Sequence, residues 1–507
     1  MCGILYVRGR VAWDQHQEAM QILNSRGPDF TRYWQHNDTF IAHSVLHITG
    51  GRKFYQNASK DFLAYNGEIY NYRSFGNYDN DIELIDHAVK NNRSMFKSFT
   101  GPYAWVWTNG SSYAYASDPQ GERCLYRYQD DSILIVCSEV APILKYRNLN
   151  LCIENHSERH WPVHARTPWR SIERVPPGIM FDQDGVATKL DSIFDWCSQE
   201  KYSTLADAAM TFDDVLNSVM QDMTPREPAA LTFSGGLDTA CLLAKIPNAE
   251  LYTTNVSGKD LVSTHVQEFL TPNQRQNLHV LDIDEKTWAQ DYIDVVQRTR
   301  MPVQSWSFVG QWHIAKHCEQ RILFSGVGAD ELFGGYGVYQ TLDYKTNYSA
   351  SPYSYFDPDS ADIEVLENWQ RCLNFYHGDA RQATLMMDYI TQISGVDLRG
   401  VDVCTAAHGI EPRAPFCHPK IIKFALNLPW EYKVGLFGKP VIRSQFLREW
   451  DESLIFDKQG FAGHCNDSYP WLGISVQRQQ DRMSDWRVIN QAAFTRWASA
   501  VDQTTGV

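Results

Sequence analysis

The sequence predicts two domains of different fold class, a sheet-rich α+β domain over residues 1–200 and an α/β domain with a parallel sheet over residues 205–507. A chain of 507 residues is longer than one hydrophobic core usually serves. Its first part consists of short β-rich segments between turn residues, whereas after Leu205 helical segments alternate with short apolar ones. Such alternation is typical of parallel strands joined by helices that cover the sheet.

The N-terminal part is predicted to form several short strands and two amphipathic helices. The helices are expected at Gln15–Ser25 and Asp81–Asn91, where apolar residues recur with helical spacing. The Pro176–Gly178 segment predicts a turn before a short hairpin, and Ser198–Ser203 is polar enough for a linker. The strands are expected at Gly3–Val7, Thr39–His43, Phe62–Tyr65, Ala104–Thr108, Ser112–Ser117 and Ser132–Ser138.

The C-terminal part is predicted to contain short apolar strands followed by a mainly helical region beyond residue 360. Each strand is bounded by turn residues or by a helical segment, which is the pattern of βαβ units. The strands are expected at Leu231–Ser234, Leu251–Val256, Leu278–Ile283 and Arg321–Ser325.

Composition excludes several classes of partner. The formal net charge of -14 disfavours duplex nucleic acid. The sequence contains no run of 18 apolar residues and does not begin with a signal-peptide pattern, so no membrane partner is expected. Its 11 cysteines are scattered without a CxxC pair, which indicates neither a disulfide framework nor a zinc site. We expect small-molecule substrates and a cytoplasmic location.

Cys2 is the cysteine with a chemical reason for its position. A small second residue favours removal of Met1, which would leave a thiol and an α-amine on one residue. The α-amine has a pKa of about 8 and can take the thiol proton, which is how N-terminal nucleophiles are activated. Three further segments resemble the class II glutamine amidotransferases: Met1-Cys2-Gly3-Ile4, Arg26-Gly27-Pro28-Asp29 and Asn66-Gly67-Glu68-Ile69-Tyr70-Asn71.

This resemblance implies an N-terminal nucleophile domain with an αββα sandwich, in which Cys2 attacks glutamine. It implies that Asn66 and Gly67 form the oxyanion hole, since attack on the amide places negative charge on its oxygen. It also assigns substrate binding to Glu68 and Asp81, the latter holding the α-ammonium group. The simpler alternatives are a turn at Asn66 and Gly67 and a helix cap at Asp81.

One position departs from that family. Its members carry an arginine that binds the glutamine α-carboxylate, and Val45 stands at this position. Without a cation the carboxylate would bind weakly. Arg52 or His47 is a candidate substitute, and free ammonia is an alternative nitrogen donor.

The segment Leu231–Thr239 has the composition of a phosphate-binding loop between a strand and a helix. Gly235 and Gly236 let backbone N–H groups face anionic oxygens, and Ser234 and Thr239 add hydroxyl donors. The Ser-Gly-Gly-x-Asp-Thr pattern resembles the PP-loop of ATP pyrophosphatases and lacks the Gly-Lys-Ser/Thr end of a Walker A motif.

Further segments resemble the glutamine-hydrolysing asparagine synthetases. They are Ser325–Tyr336, Gly409–Phe416 and the Gly438-Lys439 segment. The resemblance implies ATP and Mg²⁺, with Asp238 and Asp330 as the metal carboxylates. It implies that Lys439 counters charge on the α-phosphate. Residues at strand ends that would frame the adenosine are Thr232, Val256, Ser325 and Gly326.

The acceptor side departs from this second family. Its members have a glutamate where this chain has Val327, and their Pro-Phe-Leu-Asp reads Pro415-Phe416-Cys417-His418 here. The expected reaction is ATP-dependent transfer of glutamine nitrogen to a carboxylate through an acyl-adenylate, with aspartate as the first candidate acceptor. Another carboxylate, an internal amine acceptor as in β-lactam or carbapenam synthetases, and an inactive regulatory module remain alternatives. Dimers are common in similar enzymes, and the sequence leaves the oligomeric state open.

Overall fold

The computed structural model describes most of both predicted domains. The expected linker at Ser198–Ser203 lies largely outside the described residues, as does the end of the chain after residue 449. The described residues are 1–48, 61–151, 167–196, 202–225, 227–256, 259–260, 267, 270–303, 305, 307–340, 363–435 and 438–449.

The N-terminal domain contains two antiparallel sheets. The first has the strand order β2-β3-β1-β8-β7-β9 and the second the order β11-β10-β6-β5-β4. The strands are β1 Cys2–Arg8, β2 Phe30–His36, β3 Thr39–Val45, β4 Phe62–Gly67, β5 Tyr103–Thr108, β6 Tyr113–Ser117, β7 Tyr126–Gln129, β8 Leu134–Cys137, β9 Ile172–Arg174, β10 Ile179–Asp182 and β11 Ala187–Lys189.

The two sheets pack face to face and a helix layer covers each outer face. Ile4 and Tyr6 pack with Ala64 between the sheets, while Leu5 and Val7 face the opposite way toward the first helix, as alternation along a strand requires. The prediction of an αββα sandwich is therefore confirmed. The helices of this domain are α1 Trp13–Leu23, α2 Asp81–Asn91 and α3 Val140–Ile143.

The predicted strands of this domain are all present, and their predicted bounds differ from the observed ones by at most two residues. The β10–β11 hairpin follows Gly178 as expected. Strands β2, β7 and β9 were not predicted. β2 is an edge strand whose side chains are half-buried or exposed, so its sequence lacks the alternation by which a strand is recognised.

The C-terminal domain is built on a mainly parallel sheet, which confirms the predicted α/β class. The strand order is β14-β13-β12-β16-β17, with β15 paired to β13, and β14 is antiparallel to its neighbour. Strand β17 was not predicted, because three residues with a central Pro412 carry no strand pattern. The strands are β12 Ala230–Thr232, β13 Glu250–Val256, β14 Lys259–Asp260, β15 Leu278–Ile283, β16 Ile322–Phe324 and β17 Glu411–Arg413.

Helices cover this sheet and make up most of the described residues beyond residue 360, as predicted. A π-helix at Tyr389–Asp397 runs directly into the helix after it. No helix among the described residues is long and apolar enough to cross a membrane. The helices are α4 Leu205–Met223, α5 Leu237–Lys245, α6 Pro272–Gln276, α7 Glu285–Thr299, α8 Ser307–His317, α9 Ala329–Phe333, α10 Ile363–Phe375, α11 Ala380–Asp388, α12 Leu398–Ala406, α13 Pro419–Leu426, α14 Trp430–Lys433 and α15 Pro440–Glu449.

One apolar cluster joins the two domains. It includes Leu5 and Val7 of β1 together with Trp288 of α7, Phe308 of α8 and Val403 of α12, all buried. The outer face of the first N-terminal sheet is thereby continuous with the core of the C-terminal domain. A large apolar contact of this kind favours a fixed relation between domains.

Candidate active sites

Cys2 begins β1 and is held by neighbours on three sides. Its N–H donates to Oδ1 of Asn66 at 2.8 Å, and Nε of Arg26 donates to its carbonyl at 3.1 Å. The strand register places it opposite Val45. Burial raises the pKa of the Cys2 thiol above its ordinary value. The thiol is therefore protonated at neutral pH and needs a base to become a nucleophile.

Asn66 and Gly67 lie in a strand and not in a turn, because they are the last two residues of β4 and pair with β5. Oδ1 of the fully buried Asn66 is taken by Cys2, while its Nδ2 has no hydrogen-bond partner among the described residues. Gly67 has φ +146°, and a Cβ there would lie 2.1 Å from the Pro102 carbonyl oxygen. A buried amide donor without a partner is rare, and this one belongs to the side chain that binds the N–H of Cys2.

The two predicted substrate carboxylates have different surroundings. Oδ2 of Asp81 accepts hydrogen bonds from the Tyr65 hydroxyl at 2.9 Å and from the N–H of Ile69 at 3.0 Å. Burial raises the pKa of Asp81 to about 6. The cap of α2 is Asn80, so capping does not account for Asp81. Its assignment to ammonium binding stays a prediction.

Glu68 is bound by the other domain. Nη2 of Arg413 donates to Oε1 of Glu68 at 3.0 Å and to Oε2 at 2.8 Å, and both side chains are buried. The structure thus gives this carboxylate a partner inside the protein. Contact with a substrate ammonium group stays a prediction for Glu68.

Of the two candidate substitutes for the carboxylate-binding arginine, the structure describes His47. Val45 lies beside Cys2, so the departure from the family does fall in this site. The backbone N–H of His47 donates to Oδ2 of Asp29 at 2.7 Å, and the same oxygen binds Nη2 of Arg321. Arg52 lies outside the described residues.

The predicted phosphate-binding loop connects β12 to α5, as expected. Gly235 has φ +72°, a conformation that favours glycine. Gly236 precedes the helix without a side-chain cap, and the hydroxyls of Ser234 and Thr239 lie 3.4 Å apart. The N–H groups at the start of α5 and the two hydroxyls together form a site that suits phosphate oxygens.

Lys439 joins the two predicted metal carboxylates. Its Nζ contacts both oxygens of Asp238 and lies 2.7 Å from Oδ1 of Asp330. Burial alone would lower the pKa of Lys439, but the two carboxylates outweigh it and raise the pKa. A Cβ on Gly335 would lie 1.9 Å from Oδ1 of Asp330, so glycine is required beside this cluster.

The donor set fits a magnesium ion that is bound together with a nucleotide. The described residues hold no group of three or more His, Cys, Asp or Glu side chains that could bind a metal by themselves. Asp238 and Asp330 supply hard oxygen ligands, and Mg²⁺ commonly takes one or two carboxylates, water and substrate phosphates.

The four residues predicted to frame the adenosine lie at ends of neighbouring strands. Thr232 ends β12, and Ser325 and Gly326 follow β16. A Cβ on Gly326 would lie 3.3 Å from the Cβ of Asp238, so this loop closely approaches the start of α5. Val256 ends β13 but is buried in the cluster that joins the domains.

Comparison with known proteins matches both halves. Residues 1–191 match the glutamine amidotransferase domain family and residues 212–464 the asparagine synthase family. Asparagine synthetase 1 of Lotus japonicus is 24% identical, covering 98% of this chain and 83% of its own length. Asparagine synthetase 3 of Bacillus subtilis is 22% identical, and the match covers 86% of this chain and 82% of the relative. The root asparagine synthetase of Pisum sativum is 23% identical, and the match covers 97% of this chain and 82% of the relative.

The chain belongs to the glutamine-hydrolysing asparagine synthetase family. It is a carbon–nitrogen ligase with an N-terminal nucleophile domain and an α/β domain. The residues of the predicted acceptor side have structural partners. Val327 is partly buried against the C-terminal core, and its carbonyl accepts a contact from Sγ of Cys417 at 3.5 Å.

His418 caps the helix α13. Its Nδ1 accepts from the N–H of Lys420 at 3.2 Å at the start of α13, and its ring stacks on Tyr70 with 5.6 Å between centroids. Burial lowers the pKa of His418 to about 3. The ring is therefore neutral and packs between the domains.

Sequence reasoning missed a set of buried ion pairs between the domains. Arg26 donates to Asp402 at 2.8 Å and Arg123 donates to Glu411 at 2.6 Å, while Glu139 of the N-terminal domain also accepts from Arg26 at 3.0 Å. The carboxylate of Glu411 also contacts the ammonium group of Met1. Arg26 and Glu411 lie inside recognised motifs, but a motif does not state which domain a side chain faces.

Proposed function

We propose that this protein transfers nitrogen from glutamine to the side-chain carboxylate of aspartate, with cleavage of ATP to AMP and pyrophosphate. The observation that carries the proposal is the cluster of Lys439, Asp238 and Asp330 beside the phosphate-binding loop. Lys439 is buried, and a buried charge is costly unless it is paired or binds an ion; its partners are two half-buried carboxylates beside a loop that suits anions. The asparagine synthetase names of the relatives support the choice of aspartate.

In the glutaminase site, the Cys2 thiolate attacks the glutamine amide carbon, and ammonia leaves with a proton. Water then hydrolyses the thioester to glutamate. Removal of Met1 would give Cys2 an α-amine, which can take the thiol proton. The nitrogen of Cys2 is already fixed by Asn66, whose uncommitted Nδ2 is available to the developing oxyanion. The backbone N–H of Gly67 is the second proposed donor.

In the synthetase site, an oxygen of the acceptor carboxylate attacks the α-phosphorus of ATP and pyrophosphate leaves. Ammonia then attacks the acyl carbon, and AMP leaves. Asp238 and Asp330 would hold Mg²⁺, which neutralises charge on the pyrophosphate. Lys439 would contact the α-phosphate once the metal shares its two carboxylates. Thr232, Val256, Ser325 and Gly326 are proposed to frame the adenosine.

Ammonia is proposed to pass between the sites inside the protein. The apolar cluster that joins the domains supports this, because an apolar lining keeps ammonia unprotonated and excludes water from the adenylate. The proposed domain limits are 1–200 and 205–507, and the family matches at 1–191 and 212–464 support them.

A different acceptor carboxylate is the second candidate function. Val327 offers no group to assist the attack of ammonia, and its neighbour Cys417 is buried and points to the Val327 carbonyl. An altered acceptor pocket would leave the adenylation residues as they are. An inactive module is disfavoured by the retained cluster around Lys439.

The test is pyrophosphate release from Mg-ATP and aspartate with glutamine, with ammonium or with no nitrogen source. Asparagine formed with both donors supports the proposal. Turnover with ammonium alone would place a defect at the glutamine carboxylate, near Val45. No turnover with aspartate, followed by turnover in a screen of other carboxylates, would replace aspartate by the second candidate.

A further inference from the structure

Arg413 contacts both proposed sites, one through its backbone carbonyl and the other through its guanidinium group. Its carbonyl accepts a hydrogen bond from the N–H of Ser325 at 2.9 Å, at the start of the loop that follows β16. Its guanidinium donates to both oxygens of Glu68 in the other domain. One residue of β17 therefore links the loop proposed for the nucleotide to the segment proposed for the oxyanion.

The contact on the glutaminase side bears directly on the proposed oxyanion hole. Glu68 follows Gly67 in the chain, and its N–H donates to the carbonyl of Pro102 at 2.9 Å. This is the same carbonyl that leaves no room for a side chain on Gly67. The backbone of Glu68 is therefore bound to the carbonyl against which Gly67 packs.

A second contact fixes β17 against the N-terminal domain. Glu411 lies two residues before Arg413, so both side chains leave the strand on the same face. Glu411 binds Arg123, and its N–H donates to the carbonyl of Arg321 at 2.7 Å. The strand is thus held at both of its ends.

We propose that Arg413 is a positioning residue that couples occupancy of the nucleotide site to the alignment of Asn66 and Gly67. The coupling rests on the proposed function. Binding of ATP and acceptor shifts the loop at Ser325, the shift moves β17, and the guanidinium moves Glu68. A buried, close-packed ion pair transmits such a shift because its surroundings leave little free space. Glutamine hydrolysis then proceeds fastest when an acceptor is ready.

The experiment measures glutaminase kcat and KM with and without Mg-ATP and acceptor, in the wild type and in Arg413→Lys. We expect the bound substrates to raise wild-type glutaminase kcat about fivefold or more, which is the usual lower range of coupling between sites. In Arg413→Lys, which keeps the charge but loses the planar contact, the ratio should fall to about one. Ammonium-dependent pyrophosphate release should stay within about twofold of wild type, because the Ser325 contact uses the backbone.

Arg174→Gln is the matched control. Arg174 is a buried arginine that also crosses the domain boundary, donating to the carbonyls of Ser394 and Gly121 at 2.8 Å. It contacts neither site, so this variant should keep the wild-type ratio. A loss in both variants would indicate a general effect of interface damage and overturn the proposal.

Glu68→Gln tests the same link from the other domain and serves if Arg413→Lys does not fold. It should abolish the response to ATP and acceptor, and the double variant should show no additional loss. A wild type that releases pyrophosphate but whose glutaminase ignores ATP overturns the coupling alone. A wild type that releases no pyrophosphate with any acceptor defeats the proposed function instead.

Discussion

The two proposed sites are built from different interactions. The glutaminase site joins the start of β1 to the end of β4, and its contacts are neutral, from the N–H of Cys2 to Oδ1 of Asn66. The synthetase site lies where parallel strands end, and its contacts are charged, between Lys439 and two carboxylates. The glutaminase site therefore depends on strand register, and the synthetase site depends on paired charges.

This difference agrees with where the chain keeps the family pattern and where it departs from it. The charged cluster and its loop match the expected pattern at every position from Ser234 to Thr239. Two of the departures, Val45 and Val327, are half-buried apolar residues beside the proposed sites. Loss of one charge from a buried cluster leaves the others uncompensated, whereas an apolar residue beside a site leaves packing intact.

Asp238→Asn tests the charged site and has the largest expected effect. Pyrophosphate release should fall by about 10²–10³ or more with either nitrogen source, because one metal carboxylate and one partner of Lys439 are lost together. Initial-rate pyrophosphate assays measure this. Asp213→Asn is the control, since Asp213 binds Lys245 at the far end of α5. Unchanged release in Asp238→Asn would show that the phosphate-loop assignment is wrong.

Cys2→Ala tests the neutral site. Glutamine-dependent amidation should be abolished, while ammonium-dependent amidation should stay within about twofold, because the synthetase groups are untouched. Product formation is followed with each donor in turn. Cys318→Ala, at a half-buried thiol outside the sites, should leave both rates as they are. Loss of both activities in Cys2→Ala would contradict the division of labour between the domains.

The pH dependence of glutamine use has a smaller expected effect. Because burial raises the pKa of Asp81 to about 6, its carboxylate is charged above that pH and neutral below it. If Asp81 holds the substrate ammonium group, kcat/KM for glutamine should fall about tenfold per pH unit below 6. Asp81→Asn should show a low value without that decline. An identical decline in the variant would assign the titration to another group.

Much of the fold was predictable because its signals are local. The αββα sandwich was predicted from the family motifs and the alternating strands, and the parallel sheet from the apolar segments after Leu205. Strands β2 and β17 were missed for physical reasons. β2 is exposed at a sheet edge, and β17 consists of three buried residues that are a strand only because β16 pairs with them.

The candidate sites were predictable as motifs but not as contacts. The sequence placed Lys439 near a phosphate, yet its contact with Asp238 joins residues about 200 positions apart. The partner of Glu68 is more distant still, in the other domain. Long-range ion pairs follow from topology, so a motif identifies the residues without identifying their partners.

His418→Asp has the smallest expected effect. It tests whether a position that departs from the family pattern serves the structure or the acceptor site. His418 caps α13, and aspartate is a good cap, so ammonium-dependent activity and stability should remain near wild type. His418→Ala should lower the free energy of unfolding by about 1 kcal/mol or more through loss of the cap. Denaturant unfolding measures this. Asn80→Ala, which removes the cap of α2, should cost a similar amount without changing ammonium-dependent kinetics.

A different outcome would change which residue is held to distinguish the acceptor side from that of the family. If His418→Asp folds normally but loses turnover with aspartate, the ring acts in the acceptor site and not as a cap, and the departure at this position is one of specificity. If both His418 variants keep their turnover, the position belongs to packing against Tyr70, and Val327 is left as the residue that sets the acceptor side apart.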